Sequence, residues 1–154
     1  MIADIIAWVA TGLLTSVIAP GLLLTTSAVI NWDRIAVPGA LAFPGFVVLH
    51  GLVAYLLTRH PNVSTWLALH VVLLGGAILF WLPVFGGARR LTDPVRALYL
   101  FLAMPPLDLT GVLVIVLGDH AGGLAMIVAM LPAVVITLIV TWRWVNNEDA
   151  TLPP

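Results

Sequence analysis

The chain has 154 residues, of which 62% are hydrophobic and 8% are charged, and its formal net charge is −1. Soluble proteins carry about 25% charged residues, so this composition excludes a soluble domain of any size. The absence of cysteine excludes disulfides and thiolate metal sites, and the near-neutral charge excludes a nucleic-acid-binding surface.

Five apolar stretches are each long enough to cross the hydrocarbon core of a bilayer, which takes about 20 residues. They cover residues 3–30, 35–58, 63–87, 95–118 and 121–145. Pro20 predicts a kink or tilt within the first stretch rather than two separate spans. We therefore predict an all-α membrane protein, with a single transmembrane helical domain over residues 1–145 and a polar tail over residues 146–154.

The arginines are distributed unequally between the two sides of this predicted bundle. Arg59 lies on one side, and the other side carries the remaining five: Arg34, Arg89, Arg90, Arg96 and Arg143. Positively charged residues are enriched in cytoplasmic loops. The pattern predicts that the N-terminus lies outside and that the C-terminus and the tail are cytoplasmic.

Titratable side chains inside a span are costly and mark candidate functional residues. His50 and His70 lie roughly 12 Å from the outer ends of their spans, and Asp108 lies roughly 15 Å from the outer end of its own span. Each also has a structural interpretation, because intramembrane polar side chains often form hydrogen bonds between helices.

The connection before the fifth stretch adds Asp119 and His120, and Met126 and Met130 follow one helical turn apart. Imidazole and thioether ligands suit copper, the thioether particularly Cu(I), and a carboxylate can orient a ligating imidazole. A copper site in the outer half would use His70, His120, Asp119 and Met126, with His50, Asp108 and Met130 as further intramembrane candidates. Asp119 could equally cap the fifth helix, and the methionines could fill the core.

Three local patterns occur in a fixed order along the second half of the chain. They are residues 69–74 (LHVVLL) followed by 78–86 (ILFWLPVFG), residues 91–104 (LTDPVRALYLFLAM) and residues 119–126 (DHAGGLAM). Together they resemble the CtaG family of bacterial cytochrome c oxidase assembly proteins, which are polytopic membrane proteins linked to copper insertion. The resemblance is good over residues 67–130 and loose over residues 11–57.

The resemblance implies a copper-handling assembly factor for a haem–copper oxidase, acting on oxidase subunits in the bacterial inner (plasma) membrane and not itself an enzyme. Family members are longer, and carry histidine pairs in two helices. Here residues 10–16 contain no histidine, and Trp66 stands where the first histidine of the later pair is expected. Only His70 and Asp119 match the functional positions of the family directly, and His120 stands where the family's loop carries a glutamine.

Two other functions compete with copper handling. The chain could be a structural accessory subunit of a respiratory oxidase or supercomplex with no metal of its own. This alternative is favoured because the chain has fewer histidines and fewer spans than members of the family it resembles. A small transporter or channel is the third possibility, because Asp108 lies within a span, but the sequence has no repeated halves.

Overall fold

The computed structural model describes residues 2–35, 37–59, 62–86 and 90–149, with side chains described from residue 5 to residue 147. Helix α1 (Ile2–Leu13) continues through a π-helical segment (Leu14–Ile18) into α2 (Ala19–Thr26). The later helices are α3 (Gly39–Arg59), α4 (Val63–Phe85), α5 (Asp93–Val116) and α6 (His120–Asp149). The described part of the chain is helical with no strand, and five of its helices are long and apolar enough to cross a membrane, as predicted.

The first span is continuous through Pro20, as predicted, and contains a π-helical segment just before it, while a kink there stays a prediction. Proline has no backbone N–H, so the carbonyl of Ser16 cannot receive the usual helical hydrogen bond from position 20. The N–H of Ala19 instead donates to the carbonyl of Leu14, five residues earlier. The hydroxyl of Ser16 donates to the carbonyl of Ala129 in α6 at 2.7 Å, which links this segment to the neighbouring helix.

Three boundaries differ from the sequence prediction by four residues each, and the others agree within two residues. The first span ends at Thr26 rather than at residue 30, and α3 begins at Gly39 rather than at residue 35. Between them lies a 3₁₀ turn (Trp32–Arg34) in which the side chain of Asn31 accepts the N–H of Asp33 at 3.1 Å. Helix α6 continues to Asp149 and so enters the predicted tail, because residues 144–149 contain no glycine or proline to end it. Residues 150–154 lie outside the described ranges.

The five spans form a closed ring whose spatial order differs from their order in the sequence. Helix α6 packs between α1 and α5, α5 packs against α3, α3 against α4, and α4 against α2. Helices α5 and α6 approach each other closely, since a Cβ added to Gly123 would lie 2.5 Å from the carbonyl oxygen of Gly111. Such close approach of small residues is the usual way in which helices pack in a membrane.

Large side chains fill the centre of the ring, and Trp81 is one of them. The sequence places Trp81 near a membrane boundary, where tryptophan commonly anchors a span. In the structure it is fully buried, and its indole nitrogen donates to the carbonyl of Thr15 at 2.8 Å. Trp81 therefore does not anchor its span at the lipid interface, because the indole packs inside the bundle. Which end of the bundle faces the cytoplasm stays a prediction.

Candidate functional site

The predicted site lies at the end of the bundle where α1, α4 and α6 begin and where α3 and α5 end, which we call the Asp119 end. One carboxylate oxygen of Asp119 accepts the backbone N–H of Gly122 at 2.8 Å, and the other accepts the indole N–H of Trp8 at 2.8 Å. The first contact is an N-cap, because Gly122 is the third residue of α6. Asp119 therefore caps α6 and also holds α1 against it.

His70 lies in α4, is buried, and has a partner at each ring nitrogen. Nδ1 lies 2.8 Å from the carbonyl oxygen of Trp66, and Nε2 lies 2.9 Å from the hydroxyl oxygen of Thr11 in α1. A carbonyl oxygen can only accept, so Nδ1 carries a hydrogen and donates it. The indole of Trp66 also stacks on the imidazole, with the ring centres 3.9 Å apart. The ring is thus held in one orientation by its own helix and by α1.

The hydroxyl of Thr11 has two acceptors within reach. The carbonyl oxygen of Ala7 and Nε2 of His70 each lie 2.9 Å from it. A hydroxyl carries one hydrogen, so it can donate to only one of them at a time. When it donates to Ala7, Nε2 of His70 is released to take another partner. His70 can therefore exchange Thr11 for another partner at Nε2, because the Thr11 hydroxyl keeps its hydrogen bond to the Ala7 carbonyl.

His70 and Asp119 meet the same face of α1. Trp8, which bonds Asp119, and Thr11, which bonds His70, are three residues apart and so neighbour each other on the helix surface. The structure thus brings the two residues carried over from the family resemblance to successive turns of α1, without joining them directly.

A cavity of about 590 Å³ opens at this end, which is within the usual size of a small-molecule site. We call it the Asp119 cavity. Its walls come from α1, from the end of α3, from the start of α4 and from the turn before α6: Ala7, Trp8, Thr11, Leu57, Thr58, Asn62, Val63, Trp66, Leu117, Gly118 and Asp119. Thr11 and Trp66, which both contact the His70 ring, form part of the wall, so the imidazole lies directly behind it.

The other predicted residues form no hydrogen bond with this pair in the described structure. His120 is exposed at the first position of α6, and Met126 and Met130 are buried in the core. His50 is fully buried and stacks on Phe46 with ring centres 5.5 Å apart, and neither of its nitrogens has a hydrogen-bond partner among the described residues. Asp108 is partly exposed on α5, and it likewise forms no hydrogen bond or ion pair within the part of the chain that the structure describes.

No three His, Asp or Glu side chains come together as a metal site in the described ranges. Structural metal cages use about four protein ligands, so a cage of that kind is not formed here by these residue types. The candidate ligands that the structure brings to one face of α1 are the oriented imidazole of His70 and the carboxylate of Asp119. Their partners on α1, Thr11 and Trp8, lie one helical turn apart. Ligation by His120 and Met126 stays a prediction.

Sequence reasoning missed Trp8 and Thr11, which make the contacts that shape the site. Their spacing places them on one face of α1, but nothing in the sequence shows which helix that face meets. Trp66 could have been found, since it lies four residues before His70 and therefore on the same face of α4. Within residues 10–16, the Thr11 hydroxyl lies against His70.

The fold defines the class of this protein as a multi-pass α-helical membrane protein, whose apolar helices fit a lipid bilayer. No protein-family model, curated protein or solved structure matches the chain. The resemblance of the sequence to an oxidase assembly family therefore stays a prediction.

Proposed function

We propose that this protein handles copper(I) during the assembly of a haem–copper oxidase in the bacterial inner membrane. The observation that carries the proposal is the setting of His70, an oriented imidazole directly behind the wall of a cavity that opens at the Asp119 end. The resemblance of residues 67–130 to an oxidase assembly family supplies the partner, an oxidase subunit that lacks its copper. Copper is cargo in this proposal, and its transfer is ligand exchange without catalysis.

The contacts of His70 suit a copper ligand. Metal-bound histidines commonly donate their second ring N–H to a carbonyl or carboxylate, which fixes the ring and raises its basicity. Here the Trp66 carbonyl takes the hydrogen of Nδ1 at 2.8 Å, which leaves Nε2 as the coordinating nitrogen. Copper would replace the Thr11 hydroxyl at Nε2, and that hydroxyl would keep a hydrogen bond to Ala7.

The small number of nearby ligands supports brief binding rather than storage. A carrier must release its metal to the recipient, and a site with few protein ligands keeps positions open for the recipient's own side chains. Met126 is the nearest thioether in the sequence to the Asp119 turn, and its softness suits Cu(I). It is buried beside α1, where its backbone carbonyl would lie 2.9 Å from a Cβ added to Gly12.

The test is a Cu(I) titration of the purified protein in detergent against a competing chelator. We expect equimolar binding in the unsubstituted protein and its loss in His70→Ala. The matched control is His50→Leu, which removes another buried imidazole from the same bundle and should retain binding. Unchanged binding in His70→Ala would refute the proposed site.

Asp108 favours a second candidate, a structural accessory subunit of a respiratory oxidase or supercomplex. A carboxyl within a span is costly unless it finds a partner, and Asp108 has none within the described chain while remaining partly exposed on α5. A donor from a neighbouring subunit would supply that partner. His70, in contrast, faces the interior of the bundle, which favours the copper proposal.

Purification from native membranes in a mild detergent separates the two candidates. Equimolar recovery with haem-loaded oxidase subunits would support the accessory subunit, and recovery alone or with a subunit lacking copper would support the assembly factor. If the protein is an accessory subunit, Asp108→Leu should abolish its recovery with haem-loaded oxidase subunits. Asp108→Asn can still accept a hydrogen bond and should retain part of that recovery.

A further inference from the structure

The Asp119 cavity has a lining whose chemistry selects for the charge of a ligand. Asp119 is the one charged side chain among the lining residues that the structure describes, and both of its oxygens accept hydrogen bonds from neutral N–H groups. Those bonds orient the carboxylate, and no cation of the described chain pairs with it, so its charge is offset only in part by the positive end of the α6 dipole. A cationic ligand would balance it, and an anion would be repelled.

The nearest arginine in the sequence is directed elsewhere. Arg59 follows the lining residue Thr58, but it is exposed, and its guanidinium carbon lies 5.4 Å from the centre of the Tyr55 ring, one turn earlier on α3. The four other described arginines lie in the connections and helix ends at the opposite end of the bundle: Arg34, Arg90, Arg96 and Arg143.

The remaining walls suit a cation that carries carbon rather than a bare metal ion. Two indoles, Trp8 and Trp66, line the cavity together with the apolar side chains of Leu57 and Val63. Indoles attract organic cations through the negative face of the ring, and quaternary ammonium groups are the best-known ligands of such sites. A space of about 590 Å³ is far larger than a metal ion needs.

We propose that the Asp119 cavity binds an organic ammonium group, either on a free small molecule or on a phospholipid headgroup. The carboxylate of Asp119 supplies the charge, Trp8 and Trp66 supply the aromatic wall, and the apolar side chains cover the carbon substituents. This proposal does not rest on copper handling, since it needs the carboxylate and the indoles and does not need Nε2 of His70.

The test is calorimetric titration of the full chain with tetramethylammonium chloride, in a maltoside detergent that has no ammonium group. Sodium chloride at the same ionic strength gives the background. We expect saturable binding of tetramethylammonium that is weaker by about tenfold or more in Asp119→Asn, because the full charge is lost. Asp33→Asn removes a carboxylate at the opposite end and should leave the affinity unchanged.

A second variant checks the result, and a comparison of two lipids in nanodiscs identifies the source of the ligand. Since Asp119 also caps α6, Trp66→Leu serves as a second variant and should also weaken binding. In nanodiscs, loss of tetramethylammonium binding in phosphatidylcholine but not in phosphatidylglycerol would assign the site to lipid headgroups, and binding in both would assign it to a free ligand. The proposal would be overturned if tetramethylammonium showed no saturable binding beyond the sodium chloride background. It would also be overturned if Asp119→Asn and Trp66→Leu both bound tetramethylammonium as tightly as the unsubstituted protein. His70→Phe, which keeps a ring against Trp66 but has no nitrogen, should abolish copper binding and leave ammonium binding intact, so the two proposals can fail separately.

Discussion

The indole nitrogen of Trp8 donates a 2.8 Å hydrogen bond to the carboxylate of Asp119, across 111 positions of sequence. This bond joins the first span to the first turn of α6. Gly122 makes it possible, because any Cβ at that position would overlap both the Trp8 ring and the Asp119 carboxylate.

Removing the donor should weaken the fold measurably. Trp8→Phe keeps most of the buried ring but leaves one oxygen of the partly buried carboxylate without its partner. We expect the free energy of unfolding to fall by about 1–2 kcal/mol. Unfolding in mixed micelles of increasing denaturing detergent measures this change. Trp142→Phe, at an exposed position of α6, is the control and should have little effect.

The same bond can be isolated by a double-mutant cycle. Asp119→Ala should cost about 1 kcal/mol for the lost cap, in addition to the lost bond to Trp8. If the bond is real, the effects of Trp8→Phe and Asp119→Ala should not add, and the coupling should be about 0.5–3 kcal/mol. Strict additivity would contradict the contact.

His50 should be replaceable with a gain in stability. Both nitrogens of this fully buried ring lack a partner among the described residues, and an unsatisfied buried polar group costs about 1–3 kcal/mol. His50→Leu keeps a side chain of similar volume and removes that cost, so its unfolding midpoint should rise. A clear loss of stability would instead show that an internal water or ion satisfies the imidazole.

Thr11→Val tests how His70 exchanges its partner. Valine has the shape of threonine without the hydroxyl, so Nε2 of His70 would lose its competing hydrogen bond. Under the copper proposal, the Cu(I) affinity in the chelator competition should rise severalfold. A fall in affinity would show that the hydroxyl assists copper binding rather than competing with it.

Two glycines provide a matched test of helix packing. Gly123→Ala places a Cβ against Gly111 of α5 and should destabilise the bundle by about 1–3 kcal/mol. A Cβ on Gly75 meets nothing within 4 Å, so Gly75→Ala should be neutral or stabilising by up to about 1 kcal/mol. Equal effects at the two positions would contradict the close crossing of α5 and α6.

The sequence predicted the number and type of the elements well, because the length of an apolar stretch directly reflects the thickness of a bilayer. The boundaries were less predictable where local hydrogen bonds decide them, as in the 3₁₀ turn that follows Asn31. Trp81 lies near the predicted end of its span, yet the ring order places its side chain in the interior of the bundle. That order depends on packing between distant helices, which composition does not reveal.

The site was half predictable for the same reason. His70 and Asp119 are unusual residues for their positions, so they stand out in the sequence. Trp8 and Thr11 do not, because a tryptophan near a membrane boundary and a threonine in a span are both ordinary. Their importance comes from the residues opposite them, which lie 111 and 59 positions away.

The ring order has a consequence for how the protein is made. Helix α1 emerges from the ribosome before α6, but α6 is the helix that covers the face of the first span bearing Gly12 and Ser16. Until α6 enters the membrane, that face is open to lipid, the Ser16 hydroxyl lacks the Ala129 carbonyl, and Trp8 lacks Asp119. The ring therefore closes only after α6 has been synthesised. A nascent chain stalled before α6 would expose the Ser16 hydroxyl and the Trp8 indole N–H to other membrane proteins.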